Sequence, residues 1–402
     1  MVKNVDLSGK MPNNPPKSRS QPMSSDRLQQ FQTILDEHAD LAFFPISSDL
    51  QYLTGVPRDF PNYGHTIHPG DWLQGAWITP QRPPVLPLPR MTAEFGGLSR
   101  LQGLDIRVLG DWDAPSTMLR GILDDFDLPD NPRVAISDFA TGETVSQLQK
   151  LLPGVVWLSA TALLRPMRVL KSPADIELMK QAGRITEAAF ADTLAQMRHG
   201  MTELQIVEEV NYQLRKHGSL GQSFTTSLYN SAPSLPLIFG DRMKSWPRKL
   251  EPPVSILFDF GGIYEGWCYD FGRTVFFGEP PPESQRVYDL VMASQAAGIA
   301  ALRADAATTS DADRAARDVI ESAGYGEAFR HRLGHGIGMD VHEPPFLTRG
   351  DETPLQDGML FTIEPSIMQL NDYSARVEDV VVARAGGGEK LTNGWQELVV
   401  IE

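Results

Sequence analysis

Cysteine is nearly absent: Cys268 stands alone among 402 residues. A single thiol forms no internal disulfide, which excludes a disulfide-stapled secreted scaffold and fits a reducing, cytoplasmic compartment. Long apolar runs are missing too. No stretch approaches the ~18–20 residues of a membrane-spanning helix, so no membrane partner is expected. The N-terminus also has no apolar signal-peptide core. Basic residues are the scarcer charge: 36 Lys and Arg against 51 Asp and Glu leave a net charge of −15. An acidic surface excludes a nucleic-acid partner, because phosphate backbones select Lys and Arg. Histidine is rare, with eight in the chain, so a cluster of them carries information.

What remains is an ordinary globular balance, 41% hydrophobic and 22% charged, long enough for two or three domains. Residues 1–24 are polar, rich in Pro and Ser and net positive, and read as a disordered tail. Over 25–165, short apolar runs at 41–44, 77–79, 106–109 and 134–136 alternate with helical patterns, as in a small α/β domain. The stretch 81–90 holds four prolines and reads as a loop or a sheet edge. Residues 164–171 read as a link to a helix started by Ser172, Pro173 and Asp175 and running to Gly200. Thr202 and Gln205 form a capping box for a second helix, ended at Gly218. A strand pair follows over 254–277. Next come a helix over 283–303, one capped by Ser310 and stopped at Gly324, and a second strand pair over 357–383. Residues 172–402 therefore read as two copies of helix, helix, hairpin, although the halves share no visible sequence.

The acidic residues of the two hairpins carry the chemistry. A first hairpin turning at Tyr264 and Glu265 sets Asp259 directly opposite Asp270, with Cβ atoms roughly 4.5–5.5 Å apart. Two bare carboxylates there repel, and a metal pair answers that repulsion. Glu364 and Glu378 repeat the arrangement about a turn near Asn371 and Asp372. His331, His335 and His342 crowd one segment, and Gly334 and Gly336 let the backbone beside His335 approach something closely. Four carboxylates and one imidazole suit two divalent ions of intermediate hardness: Mn(II), Co(II), Fe(II) or Zn(II). His342-Glu343 lacks the second histidine of a zincin, and Gly334, Gly336 and Gly338 complete no dinucleotide-binding motif. Cys268 reads as a small buried residue.

In this order and local context, Asp259, Asp270, His335, Glu364 and Glu378 resemble the five metal ligands of the pita-bread metallopeptidases. The runs 270–274, 335–343, 362–365 and 376–379 match as well. The linker 168–173 resembles that of the two-domain branch, which includes aminopeptidase P, prolidase, creatinase and ectoine hydrolase. The resemblance implies an α/β (α+β) chain, with a creatinase-like N-terminal domain over 25–165 and a pita-bread catalytic domain with pseudo-twofold repeats over 166–402. It implies two divalent ions, with Mn(II) favoured. Asp259 would bind one ion, His335 and Glu364 the other, and Asp270 and Glu378 would bridge them, with a shared hydroxide as nucleophile. Glu364 would also shuttle a proton, and His342 would face the scissile carbonyl. His331 would line the substrate side, and Arg376 would hold a carboxylate or a substrate group. The implied reaction is hydrolysis of an Xaa-Pro bond in a small peptide by a cytoplasmic homodimer.

One departure stands out. The family carries a further histidine ahead of the first ligand Asp, whereas no histidine lies between His217 and His331. That departure opens an alternative in which the same centre acts on a small non-peptide, such as an ectoine-like amide or a sulfonium zwitterion. A non-catalytic binding module of the same fold is the third reading, and the five intact ligands speak against it. A choice between dipeptidase and aminopeptidase would rest on N-terminal loops such as 57–70.

Overall fold

The computed structural model describes residues 23–58, 68–98, 101 and 103–402. Residues 1–22 of the expected tail, and 59–67 of the 57–70 loop, lie outside the described residues. The chain divides into two compact units, the first ending at Arg168 and the second formed by Val169–Glu402. Among the described residues, no helix is long and apolar enough to cross a membrane.

The first unit is built on a six-stranded mixed sheet. Its strand order is Asp105–Leu109, Val85–Pro89, Gly75–Ile78, Leu41–Pro45, Arg133–Ile136 and Val156–Ser159. The expected apolar runs are its strands. The proline-rich stretch corrects the sequence reading, because Val85–Pro89 is an interior strand. The reason is which side the prolines face. The Asp105 N–H donates to the Pro84 carbonyl, so even-numbered residues of this strand pair with Asp105–Leu109. Pro87 and Pro89 then face Gly75–Ile78, where pairing is limited to Trp77 with Val85. Proline lacks a donor, and here it sits where none is used.

In the second unit, the first half opens with helix Pro173–Gln196, whose Ser172–Asp175 capping box is as expected. Its first turn follows a helix, Ala160–Val169, where a linker was expected. Helix Glu203–Lys216 follows, capped by Thr202 and Gln205. A four-stranded sheet orders Val399–Ile401, Phe271–Phe277, Val254–Phe260 and Ser227–Ser231. The second half repeats the plan with helices Pro282–Ala301 and Thr309–Ser322. The cap of the latter is Thr308, not Ser310. Thr308 wins because Asp311 stands three residues on and closes a capping box. A five-stranded sheet orders Glu343–Leu347, Gly334–Gly336, Leu360–Ile363, Asp379–Val382 and Glu389–Lys390.

Alternation along the strands separates core from site. On the first sheet, Phe258, Phe260 and Phe271 pack around Phe190 of the first helix, with ring centroids 5.2–6.1 Å away. Asp259 lies between two of them and therefore points to the opposite face. The second half packs Val291, Ala316, Ile320, Phe361, Ile363 and Val381 into one buried cluster. The two sheets meet at Gly272 and Glu378. The Glu378 N–H donates to the Gly272 carbonyl at 2.9 Å. A Cβ on Gly272 would sit 2.9 Å from the Glu378 Cβ, so only glycine allows this approach.

Candidate metal centre

The first hairpin corrects the expected register. Asp259 pairs with Gly272, and Tyr264 pairs with Trp267. The turn is therefore Glu265-Gly266, with φ of 50° and 84°. A two-residue hairpin turn of this twist needs positive φ at both central positions, and Gly266 supplies one of them without strain. The sequence reading centred the turn one residue early. Asp259 and Asp270 are thus diagonal neighbours, not directly opposite. A slip of two residues leaves the face unchanged, so both carboxylates still point into the centre. The second hairpin has the expected register: Ile363 pairs with Asp379, and Ser366 with Arg376. That register puts Glu364 across from Glu378.

Asp259, Asp270, His335, Glu364 and Glu378 are all buried. One ligand atom from each of Asp270, His335 and Glu378 lies within 4.8 Å of the others. His335 Nε2 is 3.4 Å from Glu364 Oε1 and 3.6 Å from Asp270 Oδ2. Its Nδ1 donates to the Gly336 carbonyl at 3.0 Å. A carbonyl only accepts, so Nε2 is left with its lone pair toward the carboxylates. The flanking glycines have a reason. A Cβ on Gly334 would lie 1.9 Å from the Thr362 carbonyl oxygen, and one on Gly336 2.5 Å from that of Glu343.

Arg376 reaches further into the centre than the sequence indicated. It donates to Asp259 Oδ2 at 2.8 Å, to Glu364 Oε2 at 2.5 Å and to Glu378 Oε2 at 3.0 Å. One guanidinium faces four buried carboxylates, so the cluster lacks positive charge. The sidechain atoms Asp270 Oδ1 and Glu378 Oε1 are buried without a hydrogen-bond partner. Orphaned carboxylate oxygens beside an imidazole lone pair are what divalent cations of intermediate hardness take up, so these residues fit a metal site.

The electrostatics agree. Burial, reinforced by Asp259 and Glu364, raises the Asp270 carboxyl well above its ordinary value. Burial and Asp270 do the same to Glu378. Burial pushes Glu364 up to about 7 in spite of Arg376. His335 is pushed well down by burial and by His342, which keeps it neutral as a ligand must be. Burial and Arg376 lower His331 to about 4. Burial and Arg332 lower His342 as well.

A cavity of about 510 Å³ opens beside the cluster, lined by His331, Arg332, His342, Phe346, Thr348 and Glu364. His331 Nε2 accepts from the Ser366 hydroxyl at 2.7 Å. The His342 ring lies 4.1 Å from that of His335. The structure thus brings every candidate site residue to one place. Sequence reasoning missed Arg332, which stacks over Phe346 at 4.5 Å. It also missed Arg273 and Asp379, a buried pair 2.6 Å apart beside the sheet junction. Both lay inside the runs singled out above, at 270–274 and 376–379. A buried charge has no sequence mark that separates it from a surface one.

Residues 177–385 match the model described as metallopeptidase family M24. The chain belongs to that family. Over 390 residues it is 28% identical to an Xaa-Pro dipeptidase of Lactobacillus helveticus, covering 94% of this chain and 99% of that one. A crystal structure of a dipeptidase from Pyrococcus horikoshii OT3 superposes with a TM-score of 0.80 at 27% identity, covering 93% of this chain and 100% of that one. The X-Pro aminopeptidase of Thermotoga maritima MSB8 superposes with a TM-score of 0.77 at 25% identity, covering 92% and 100%. The second unit is the pita-bread fold of M24 peptidases, and membership implies divalent metal ions at the cluster.

Proposed function

We propose that this M24 peptidase hydrolyses Xaa-Pro bonds in small peptides, with dipeptides as the preferred substrates. The observation that carries the reading is the buried set of Asp259, Asp270, His335, Glu364 and Glu378 opening onto a cavity lined by His331 and His342. The full-length likeness to an Xaa-Pro dipeptidase supports it. Two divalent ions, Mn(II) favoured, would be held by these five residues. When bound, they would lower the pKa of a water and polarise the scissile carbonyl. Glu364, poised near neutrality, suits holding and passing a proton at its carboxylate. His342, held neutral, suits donating a hydrogen bond to the oxygen on which charge develops. Arg376 holds Asp259, Glu364 and Glu378 in place. Arg332 has no ion-pair partner among the described residues and suits the free carboxylate of a dipeptide. The homodimer and the cytoplasmic location are part of the same proposal.

A second reading has one observation in its favour. Where the family's further histidine is expected, Tyr229 stacks on Phe239 with ring centroids 5.6 Å apart. An aromatic face suits a small cationic substrate such as a sulfonium. The test is a product-detected mass-spectrometry screen of Mn(II)-reconstituted wild type and Glu364→Ala. Both receive Xaa-Pro dipeptides, Xaa-Pro-Yaa peptides, and ectoine-type and sulfonium compounds. Cleavage of Xaa-Pro dipeptides by the wild type alone is expected, with Arg332→Gln raising KM about tenfold or more through the lost charge-assisted bond. Turnover of a small molecule with every peptide left intact would overturn the proposal.

A further inference from the structure

The run 168–173 ahead of the first helix of the second unit has no part in the metal centre, yet it carries a deeply buried lysine. Lys171 Nζ lies 3.1 Å from Glu343 Oε2, and the two side chains are 2% and 7% exposed. They are 172 positions apart in the chain. The Lys171 N–H donates to the Gly358 carbonyl at 3.0 Å, so the backbone behind the ammonium is itself tied down. Taking two charges out of water offsets most of their attraction, so stability alone gives little reason for such a pair.

Position gives a better reason. Glu343 follows His342 directly, and its carboxylate organises the turn that carries that ring. Glu343 Oε1 accepts from the Asp340 N–H at 3.1 Å. A Cβ on Gly338 would meet both Glu343 carboxylate oxygens at 2.8 and 2.9 Å, so the carboxylate lies flat on the Gly338 backbone. Gly338 in turn donates to the Asp340 carbonyl at 3.0 Å, and its own carbonyl accepts from Cys268 of the first hairpin at 2.8 Å. The turn 338–343 therefore closes around one carboxylate, and the Lys171 ammonium sits on that carboxylate's other oxygen. The opposite end of the histidine segment has its own clamp. Arg317 donates to the His331 carbonyl at 2.9 Å while paired with Asp313 at 2.7 Å, and Asp313 accepts from the Leu333 N–H at 3.0 Å.

We propose that Lys171 is a positioning residue for His342, acting through Glu343. It fixes the carboxylate that shapes the turn, and the turn sets the His342 ring beside His335. Without the ammonium, Glu343 keeps its turn contacts but loses one of the anchors that hold them against the rest of the unit. The His342 ring then samples more than one orientation, and the hydrogen bond it makes to the reacting carbonyl weakens. The inference rests on the proposed peptidase reading for its kinetic arm alone.

The test is a double-mutant cycle with a spectroscopic arm. Lys171→Met, His342→Ala and the double variant are loaded with Mn(II), checked for metal content, and assayed on an Xaa-Pro dipeptide. Lys171→Met is expected to lower kcat about 10–100-fold, the range of lost supporting contacts in such sites, with KM within about threefold and metal content unchanged. In the His342→Ala background the same change is expected to cost nothing further. Equal losses in both backgrounds, or wild-type kcat in Lys171→Met, would overturn the proposal. Should Lys171→Met fail to fold, Lys171→Met with Glu343→Gln removes both charges of the pair; it is expected to show the same loss, and wild-type kcat in it would count against the proposal. Histidine 15N NMR of the Zn(II)-loaded protein reads the ring whatever the substrate. The His342 signals should broaden or shift in Lys171→Met while those of His331 stay, and unchanged His342 signals would overturn the inference even if no peptide is cleaved. A wild type silent on all Xaa-Pro substrates would instead remove the peptidase reading and leave the NMR arm standing.

Discussion

The two halves of the catalytic unit share a plan of two helices, a strand and a hairpin, but they load it differently. The first hairpin turns on two residues, Glu265 and Gly266, with positive φ, and sets its carboxylates on a diagonal. The second has a longer turn about Asn371 and sets Glu364 across from Glu378. The first half packs an aromatic core around Phe190; the second packs a mainly aliphatic one. The first half contributes two carboxylates and no imidazole. The second contributes two carboxylates, the histidines His331, His335 and His342, and Arg376. The shared plan therefore gives the candidate ligands a common face, while the unequal loading puts all three of these histidines and Arg376 on one half.

The largest expected effect falls on the junction where the halves meet. Arg273 of the first half and Asp379 of the second are 1% and 0% exposed. Asp379 also pairs with Lys390 at 2.8 Å and accepts from Gln295 at 3.1 Å. Asp379→Asn leaves buried cations short of their anion, and should lower unfolding free energy by about 3–5 kcal/mol in urea titration. A loss under 1 kcal/mol would show that the halves hold together without this pair.

A smaller effect probes the same junction from the ligand side. In Gly272→Ala the new methyl meets the Glu378 Cβ at 2.9 Å and its Oε2 at 3.0 Å. Overpacking of this kind costs about 1–3 kcal/mol. Displacing Glu378 should also weaken metal binding about 10–100-fold, measured by competition with a chromophoric chelator. Unchanged metal affinity would mean that the two halves tolerate a wider separation than their contact implies.

The smallest effect is a dependence on pH. Burial raises Glu364 to about 7, and Asp270 and Glu378 in the same direction. A folded carboxyl with a raised pKa binds a proton that the unfolded chain releases. Its stabilisation is complete below the ordinary value of 4.5 and is lost as pH rises through the folded value. Metal-stripped protein should therefore melt at lower temperature at pH 7.5 than at pH 5, and Mn(II) should remove that difference by displacing the protons. A stripped protein that gained stability over this range would contradict the charge deficit assigned to the cluster.

Much of this was legible in the chain, and for identifiable reasons. Capping residues act locally, so Ser172 with Asp175 and Thr202 with Gln205 marked helix starts. Alternation of Phe and Asp in 258–260 marked a strand with a core face and a site face. The five candidate ligands stood out through the runs around them: Asp259 and His335 sit in strands, while Asp270, Glu364 and Glu378 directly flank strand ends. The failures also have causes. Thr308 outcompeted Ser310 because its partner Asp311 lies at the right spacing. The prolines of Val85–Pro89 did not exclude an interior strand, because which neighbour lacks pairing is decided across the sheet.

By itself the sequence determined the period of the elements, the set of candidate ligands and the acidic balance that calls for cations, since these depend on residue type and short-range spacing. Only the tertiary structure decided the diagonal register of Asp259 and Asp270, the reach of Arg376 to three carboxylates, and the burial of Lys171 against Glu343. Those contacts join residues separated by as much as 172 positions, and burial sets the strength of every charge among them. Long-range packing, which no local pattern encodes, turns a list of acids and histidines into one cluster beside a cavity.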